Sequence, residues 1–486
     1  MNPTIELPIN ELKTALTGLG KVISKRTSLP VLEHLRVTRS REGTVTFQAT
    51  DLDATVLYQA EAPNTGPACD FLVPFEPLNK LVKGAKESLI IVAESKDKVR
   101  LRSFIGGHPL EQSFETPALN EYPATPVVTG KPMPVDQMFR DSLREALDCC
   151  SDESSRFVLH HACLDTRNEE GHYIAASNGR HLYCANSFAF DLKVPVLVPD
   201  RDFLRWNKFM ETGTGQLSVK PQSKNEGSWM QLQSGPWTFL TKTCDEEFPN
   251  WKQVVPAPNS RRTVIQFHRD AVATLLAGVP QLPGNDDSNR PVKVEITGNG
   301  VLVQAKARDA QEWTRLAVDG ATINGKPVSI SLNRDYLLKA LRFGLHNVEI
   351  EDALSPLVFS EGGRRLVVMP LRPDDNTVKS TASAQQPTPT NNPPVSETAP
   401  PAQPKATSTM PKATETQPAE TATAESSPVK AVAQHIENIR ETLKGVLKEF
   451  SQVLDDLKQL EKDKKASDKE VESVREKLRE IQSVRI

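Results

Sequence analysis

One type of segment occurs three times in the chain, at intervals of about 130 residues, and this repetition constrains the fold more than any other feature. In each copy, apolar residues of strand type run into Pro or Asn, then into charged residues and a helical apolar period. The copies begin at Leu72, Leu197 and Ile330. The pattern predicts a strand, a helix cap and a helix, formed once in each of three units of domain size.

A second recurrent element agrees with the first in its spacing. Each copy is preceded by an amphipathic helix, marked in turn by Leu16, Leu143 and Leu276. Two elements in the same register predict three similar α+β domains. We define these as the first repeat (1–125), the second repeat (126–256) and the third repeat (257–372).

The composition changes after Arg372. Residues 373–428 are mainly Pro, Thr, Ala and Ser, and such a segment cannot bury enough surface to offset the entropy of ordering, so a disordered linker is predicted. In residues 429–486, apolar residues recur in alternating steps of three and four, which is typical of a coiled coil. A polar break around Lys464 leaves two alternatives open, one continuous helix or a helical hairpin.

Several features of the sequence limit the classes of protein to which the chain can belong. The six cysteines have neither a CxxC pair nor zinc-site spacing, which is typical of reduced thiols. His160, His161 and Cys163 are close in sequence, but alternate residues of a strand point to opposite faces, so no metal site is predicted. No signal segment or membrane-spanning run occurs, and a cytoplasmic protein is expected. The formal net charge of −3 argues against a generally basic nucleic-acid coat but allows a basic face.

The motifs that reveal catalysis or nucleotide binding are absent from the sequence. No phosphate-binding glycine loop, no G-x-S-x-G and no H-E-x-x-H segment occurs. Carboxylates such as Asp51 and Asp53 accompany no nucleophile and no ligand set. No catalytic residue, metal or cofactor is therefore predicted. An enzyme acting on nucleic acid is the alternative that measured turnover would be needed to support.

Lysines and arginines recur on the predicted helices of all three repeats. Examples are Lys80 and Lys83 in the first repeat, Arg205 in the second and Lys339 in the third. If equivalent helix faces pointed to one side, these cations would attract phosphate backbones without reading bases. The opposing interpretation is an ordinary solvated surface, because acidic residues such as Asp141 are interspersed.

Four stretches of the chain together resemble one known family. They are RTSLPVL (26–32) with ATDLD (49–53), SRFVL (155–159) with SNGRHL (177–182), FPNWKQVVP (248–256) and VVMPLR (367–372). In this order they resemble the bacterial sliding clamps, the beta subunits of DNA polymerase III, over residues 1–372. The resemblance implies three clamp-type domains that form half of a ring, two protomers joined head to tail, and helices lining the hole. It also implies a non-catalytic processivity factor that encircles duplex DNA.

The resemblance further implies a groove between the second and third repeats. In the family, such a groove binds short peptides of the DNA polymerase III alpha subunit, the clamp loader and other replication and repair proteins. The residues that carry over are Leu159, Ser177, Gly179, Arg180, His181, Leu182, Pro249, Val254, Leu354, Pro356, Val367, Met369, Pro370 and Leu371. Flexible Met and Leu among small or apolar walls suit several ligand side chains. The family commonly has His before Arg where this chain has Arg180 and His181, so the polar rim is expected to accept a somewhat different peptide.

For DNA, the resemblance and the basic helices together indicate one set of residues. They are Arg26, Lys80, Lys83, Arg201, Arg205, Arg334 and Lys339. The match is imperfect, because Phe157 and Val158 replace aromatic residues with hydroxyls and Glu76 replaces a basic residue. The function implied is a homodimeric DNA sliding clamp. The alternative is a clamp-derived scaffold whose coiled coil sets oligomerisation and which recruits partners without a topological hold on DNA.

Overall fold

The computed structural model describes residues 3–24, 27–86, 88–153, 155–167, 171–211, 214–220, 228–257, 262–287, 289–298, 300–308 and 310–372. The predicted linker and coiled coil, residues 373–486, lie outside the described residues. Within the described ranges the helices are α1 (Ile9–Leu19), α2 (Phe75–Gly84), α3 (Gln137–Leu147), α4 (Asn207–Met210), α5 (Arg269–Gly278) and α6 (Arg334–Arg342). Short 3-10 turns lie at Pro30–Glu33, Leu119–Glu121, Phe157–His160, Trp251–Val254 and Val279–Gln281.

The strands follow the order of the repeats. Those of the first repeat are β1 (Thr4–Leu7), β2 (His34–Arg39), β3 (Val45–Thr50), β4 (Ala54–Gln59), β5 (Cys69–Pro74), β6 (Leu89–Ser95), β7 (Lys98–Ile105) and β8 (His108–Glu115). Those of the second repeat are β9 (Met133–Val135), β10 (His161–Asp165), β11 (His172–Ser177), β12 (His181–Phe188), β13 (Val196–Pro199), β14 (Gly215–Lys220), β15 (Trp229–Ser234) and β16 (Trp237–Lys242). Those of the third repeat are β17 (Thr263–Phe267), β18 (Pro291–Thr297), β19 (Gly300–Ala305), β20 (Thr314–Val318), β21 (Ala321–Asn324), β22 (Val328–Asn333), β23 (Asn347–Ile350), β24 (Leu357–Glu361) and β25 (Arg364–Val368). This mixture of helices and antiparallel strands confirms the α+β fold class.

The strands form four antiparallel sheets, and two of these continue from one repeat into the next. Their orders are β1-β6-β7-β8, β5-β2-β3-β4-β16-β15-β14-β9, β13-β10-β11-β12-β25-β24-β23-β17-β21 and β20-β19-β18-β22. The first repeat joins the second where β4 pairs with β16, with Val56 opposite Phe239. The second joins the third where β12 pairs with β25, with Leu182 opposite Val367. Backbone hydrogen bonds therefore run through both junctions.

The recurrent pattern of strand, cap and helix is confirmed in the first and third repeats. β5 runs through Pro74 directly into α2. β22 runs into α6, where the Asn333 side chain accepts a hydrogen bond from Asp335 N at 2.8 Å. An Asn at this position satisfies an amide that the first turn of a helix leaves unpaired. The local pattern of residue types thus predicts these two helix starts correctly.

In the second repeat the helix begins later than the pattern predicts. β13 ends at Pro199, but α4 begins only at Asn207. The intervening residues form turns, and two of their aromatic side chains enter a cluster between the first and second repeats. The ring centroids of Phe203 and Trp206 lie 5.6 and 5.2 Å from that of Trp237. This aromatic packing positions the turns that precede α4.

The described helices form one continuous row. α1 contacts α2, α3 contacts α4, and α5 contacts α6. Between these pairs, Lys208 Nζ of α4 lies 3.3 Å from Thr14 Oγ1 of α1. Lys339 of α6 donates a hydrogen bond to the carbonyl of Asp148, at the end of α3. Because α1, α3 and α6 also pack on strands, the sheets lie behind the row.

Gly18 of α1 marks the point where the helix row meets the aromatic cluster. A Cβ atom at this position would lie 2.7 Å from Trp206 Cζ3 and would also overlap the ring of Trp237. We expect Gly18→Ala to lower the free energy of unfolding by about 1–3 kcal/mol, although alanine is the better helix former. Gly84→Ala is the control, because a Cβ there meets no atom within 4 Å. Urea unfolding measures both variants, and wild-type stability of Gly18→Ala would show that the two rings can move aside.

Candidate functional sites

A second cluster of buried apolar side chains lies where the second repeat meets the third, separate from the main core. Leu182 and Trp251 come from the second repeat, and Val358 and Val367 from the third. Leu182 is opposite Val367 in the ladder between β12 and β25, and Val358 is opposite Val367 in the next ladder. We call this apolar floor the seam. It lies where the resemblance implies a peptide groove.

Three apolar side chains on elements that build the seam are exposed. Val254 is 48% exposed, Leu354 62% and Met369 42%. Val254 shares a 3-10 turn with Trp251, Leu354 lies in the loop before β24, and Met369 follows β25. Exposed apolar side chains beside a formed apolar floor favour the binding of an apolar ligand.

The turn between β11 and β12 is ordered by its own side chains. Asn178 Oδ1 accepts a hydrogen bond from Arg180 N at 2.9 Å, and Ser177 Oγ accepts one from Gly179 N at 3.0 Å. Gly179 has a φ of 84°, a conformation that favours glycine. The Arg180 carbonyl in turn accepts a hydrogen bond from Met369 N at 3.0 Å. The turn therefore holds the chain end that carries Met369.

A polar network that the sequence did not reveal holds the segment with Pro249 and Val254. Trp251 Nε1 donates to Asp165 Oδ2 at 2.8 Å, and Arg167 donates to both oxygens of Asp165 at 2.9 Å. Burial alone would raise the pKa of Asp165, but these hydrogen bonds bring it below its usual value. Asp165 and Trp251 are 86 positions apart, so no local pattern could have paired them.

Leu354 is presented by a locally ordered loop. Asp352 Oδ1 accepts hydrogen bonds from Leu354 N at 2.8 Å and from Ser355 N at 2.7 Å. These bonds stabilise the ionised carboxylate and lower the pKa of Asp352. Because the turn fixes the backbone, Leu354 can stay exposed without the support of side-chain packing.

The predicted peptide-site residues fall into three groups by exposure. The exposed residues are Gly179, Arg180, Pro249, Val254, Leu354 and Met369. The partly buried residues are Leu159, Ser177, Pro356, Pro370 and Leu371. The buried residues are His181, Leu182 and Val367. The first two groups are accessible to a ligand and the third lies beneath the surface, so direct contact with a peptide is a prediction for the first two only.

His181 corrects the expected composition of the polar rim. It is buried, its ring centroid lies 4.4 Å from that of Tyr336, and neither ring nitrogen has a hydrogen-bond partner in the described part of the chain. Burial, followed by the charge of Lys339, lowers the pKa of His181 to about 3. The imidazole is therefore neutral at physiological pH. Of the two residues expected at the rim, only Arg180 is exposed.

The predicted DNA-binding residues differ in their surroundings. Lys80 and Lys83 of α2 are exposed, whereas Arg26 lies outside the described residues. Lys339 of α6 is oriented by Asp148, whose Oδ2 lies 3.7 Å from Lys339 Nζ. The helix row therefore presents some cations freely and holds others in contact with carboxylates.

The two arginines predicted from the second repeat are both paired. Arg201 Nη1 lies 3.0 Å from Asp51 Oδ2. Arg205 Nη2 lies 3.1 Å from Asp202 Oδ1, and Arg205 Nε lies 3.2 Å from Asp200 Oδ1. A phosphate that binds either guanidinium must compete with a carboxylate already in place.

Arg334 is a correction to the predicted DNA site. It is 1% exposed, and its guanidinium donates to the Leu282 carbonyl at 2.6 Å and to Asn285 Oδ1 at 2.8 Å. The same side chain also donates to the Pro283 carbonyl. Turning towards a phosphate would leave these buried acceptors unpaired, at a cost of about 1–3 kcal/mol each. Arg334 therefore orders the segment between α5 and β18, and its buried guanidinium is not exposed to a phosphate.

Asp200 is ionised at neutral pH although its buried surroundings favour the protonated carboxyl group. Burial raises the pKa of Asp200 from 3.8 to about 6, and its Oδ1 accepts no hydrogen bond from the described residues, despite the nearby Arg205. The stability that protonation contributes is complete below the usual pKa of 3.8 and is lost as the pH rises through about 6.

We therefore expect Asp200→Asn to raise the free energy of unfolding by about 1–2 kcal/mol near pH 7.5. The gain should shrink by about 1 kcal/mol near pH 5, where the wild-type carboxyl is already largely protonated. Urea unfolding at both pH values measures the difference. The same gain at both values would show that Asp200 does not titrate in this range.

No cluster of three or more His, Cys, Asp or Glu side chains able to hold a metal occurs in the described ranges. The six cysteines are free thiols. Burial raises the pKa of Cys163 and Cys184 to about 12, which keeps both protonated. Of the helices that the structure describes, none combines the length and apolarity needed to cross a bilayer.

The chain is similar in sequence to known beta sliding clamps. The beta sliding clamp of Caulobacter vibrioides (strain NA1000 / CB15N) is 25% identical over 390 residues, which cover 74% of this chain and 97% of that protein. That of Escherichia coli (strain K12) is 21% identical over 364 residues, which cover 71% of this chain and 93% of that protein. No family model matches the chain.

Solved structures of sliding clamps share the fold. A sliding clamp (DNA polymerase III subunit beta) from Pseudomonas aeruginosa, bound to griselimycin, has a TM-score of 0.63 at 18% identity, covering 76% of this chain and 100% of that one. The DNA polymerase beta subunit of Streptococcus pyogenes has a TM-score of 0.65 at 15% identity, with coverages of 76% and 100%. At these identities the structural likeness establishes the fold alone. Sequence and fold agree, and the chain is a relative of the bacterial beta sliding clamps, the beta subunits of DNA polymerase III.

Proposed function

We propose that this protein is a DNA sliding clamp that encircles duplex DNA as a head-to-tail homodimer and keeps the replicative polymerase on its template. The observation that carries the proposal is the continuous row of described helices, backed by sheets that cross between repeats, in a relative of the sliding clamps. A row with exposed cations such as Lys80 and Lys83 can hold phosphates without reading bases. The proposed role is non-catalytic and cytoplasmic.

Two free sheet edges support ring closure by two copies of the chain. Within the described strands, β8 and β20 each end a four-stranded sheet, and nearly all of β8 is exposed. Exposed apolar side chains lie near both edges, Ile105 and Leu110 at β8 and Trp313 at β20. Glu111 on β8 already pairs with Arg100 and Arg102 of β7, so the apolar side chains and the unpaired backbone of the edge carry the proposal. A long exposed edge strand tends to pair with another strand. We propose that β8 pairs with β20 of a second copy of the chain.

The seam is the proposed binding site for partner peptides. Val254, Leu354 and Met369 supply exposed apolar contacts, and the exposed Arg180 supplies a guanidinium that lies 3.6 Å from Glu153 Oε1. The proposed partners are the DNA polymerase III alpha subunit, the clamp loader and other clamp-binding replication and repair proteins. One groove can serve them all, because a flexible Met side chain repacks around different ligands.

Retention on closed circular DNA tests the proposed function. After loading by a clamp loader, the full-length protein should remain on circular duplex DNA through gel filtration. It should leave once a single restriction cut linearises the circle, because a ring is held by topology and not by affinity. Equal retention on circular and linear DNA, or immediate loss from both, would rule out a sliding clamp.

A clamp-derived scaffold without a topological hold on DNA is the second candidate. It is favoured by the carboxylate partners of Arg201, Arg205 and Lys339, which reduce the free positive charge of the helix row. Its predicted coiled coil, outside the described residues, would set the oligomeric state. Such a scaffold would bind the polymerase peptide and still leave circular DNA during gel filtration, which distinguishes the two candidates.

A further inference from the structure

Cations on the helices of the first repeat and cations in the turns before α4 of the second repeat are paired unequally. In the second repeat, Arg201 pairs with Asp51 at 3.0 Å and Arg205 pairs with Asp202 at 3.1 Å. In the first repeat, Lys13 of α1 and Lys80 and Lys83 of α2 are exposed. The ammonium groups of these lysines form no hydrogen bond or ion pair with the described residues.

The carboxylate that faces Arg201 is held independently of that arginine. Asp51 Oδ1 accepts hydrogen bonds from Asp53 N at 3.0 Å and from Ala54 N at 2.6 Å, which leaves Oδ2 for Arg201. Leu52 between the two acids has a φ of 79°, a strained conformation for a residue with a Cβ. The turn therefore presents its carboxylate to Arg201 whether or not DNA is bound.

A second acid of the same turn adds to this effect. Asp53 Oδ1 lies 2.8 Å from Lys242 Nζ, and Asp53 Oδ2 lies 3.9 Å from Arg201 Nη2. Two cations of the second repeat thus meet two carboxylates of the first. A cation that already has a carboxylate partner gains little from a phosphate, because it must give up the first partner to bind the second.

The lysines of the first repeat face no comparable competition. Lys80 and Lys83 are neighbours on one helix surface, since they are three residues apart. Glu76 lies one turn before Lys80 but forms no ion pair with it in the described chain. Glu11 of α1 is occupied elsewhere, because its Oε1 accepts hydrogen bonds from Tyr58 Oη at 3.2 Å and from Glu61 N at 2.8 Å.

We propose that duplex DNA contacts this clamp asymmetrically, with Lys13, Lys80 and Lys83 holding the phosphates while carboxylates neutralise Arg201 and Arg205. The inference rests on the proposed function and deepens it. The phosphate-binding surface is then formed by helices α1 and α2. The carboxylates of Asp51 and Asp53 weaken the binding of phosphates by the second repeat.

Salt dependence of DNA affinity separates the two sets of cations. Full-length protein is titrated against a short fluorescent duplex between about 25 and 150 mM salt, and each phosphate contact contributes about 0.9 to the slope of log affinity against log salt. The triple variant Lys13→Gln, Lys80→Gln, Lys83→Gln should lose at least about tenfold in affinity at low salt and about 2–3 in slope. Arg201→Gln with Arg205→Gln should change the slope by less than about one.

A variant that is expected to bind DNA more tightly distinguishes the proposed effect from misfolding, because a misfolded protein would lose affinity for DNA. Asp51→Asn with Asp53→Asn keeps an oxygen for the turn but removes both charges, so it should free Arg201, tighten DNA binding and steepen the slope. A larger loss from the arginine variant than from the lysine variant, or no gain from the asparagine variant, overturns the inference. If the wild-type protein is retained on circular DNA but the arginine variant loses more affinity than the lysine variant, only this inference is rejected. If the wild-type protein is not retained on circular DNA, the clamp function itself is rejected.

Discussion

Replacing Met369 and Leu371 with alanine is expected to abolish binding of a peptide from the DNA polymerase III alpha subunit while leaving the fold intact. Met369 is 42% exposed and Leu371 is partly buried, so neither belongs to the core. Truncating an apolar anchor of a peptide site costs about 2 kcal/mol or more. The double variant should therefore lose at least about 100-fold in affinity.

A matched control and a direct measurement make this prediction specific. Val264→Ala removes an equally exposed apolar side chain, 40% exposed on β17, which β23 separates from β24. Calorimetric titration with the peptide compares both variants with the wild type, and thermal melting checks that each is folded. Unchanged affinity of the Met369 and Leu371 variant would remove the assignment of the seam as the peptide site, without affecting the fold.

Residues 1–372, without the linker and the predicted coiled coil, are expected to form a dimer that persists on dilution. Pairing of β8 with β20 of a second copy would continue a sheet across each of two interfaces in a ring, so two contacts would have to open together. Light scattering over a range of dilutions should give twice the mass of one chain. A monomer would mean that the tail or a partner closes the ring, or that the protein is a scaffold.

Leu110→Lys should break this dimer, because a charge on the exposed edge of β8 opposes pairing with another strand. We expect the dissociation constant of the dimer to rise at least about 100-fold, equivalent to about 2.8 kcal/mol, and retention on circular DNA to be lost. Val127→Lys is the control, since Val127 is 70% exposed in the loop between β8 and β9. A Leu110→Lys protein that stays dimeric would exclude β8 as the interface.

Much of the fold could be predicted because its signals are local. The apolar periods around Leu16, Leu143 and Leu276 correspond to α1, α3 and α5, and the caps at Pro74 and Asn333 correspond to the starts of α2 and α6. Each signal depends on residues within a few positions of one another. The late start of α4 has no local signal, because the turns that precede it are positioned by an aromatic cluster between repeats.

The candidate sites were predictable in part. The motifs at residues 177–182 and 367–372 come together in space, as shown by the hydrogen bond from Met369 N to the Arg180 carbonyl. The network of Asp165, Arg167 and Trp251 that holds one side of the seam was not predictable, because these residues belong to no recognisable sequence motif. Residue type alone also could not show that His181 is buried.

The amino-acid sequence by itself determined the α+β fold class and the resemblance to the sliding clamps, and it predicted the three repeats, because apolar periodicity, caps and short motifs are properties of neighbouring residues. Only the tertiary structure decided which cations are available. Arg334 is buried among carbonyl groups, and Arg201 is paired with Asp51 from 150 positions away. Burial and ion pairing depend on how distant segments pack, and a positive charge in the sequence does not disclose the partner it will meet.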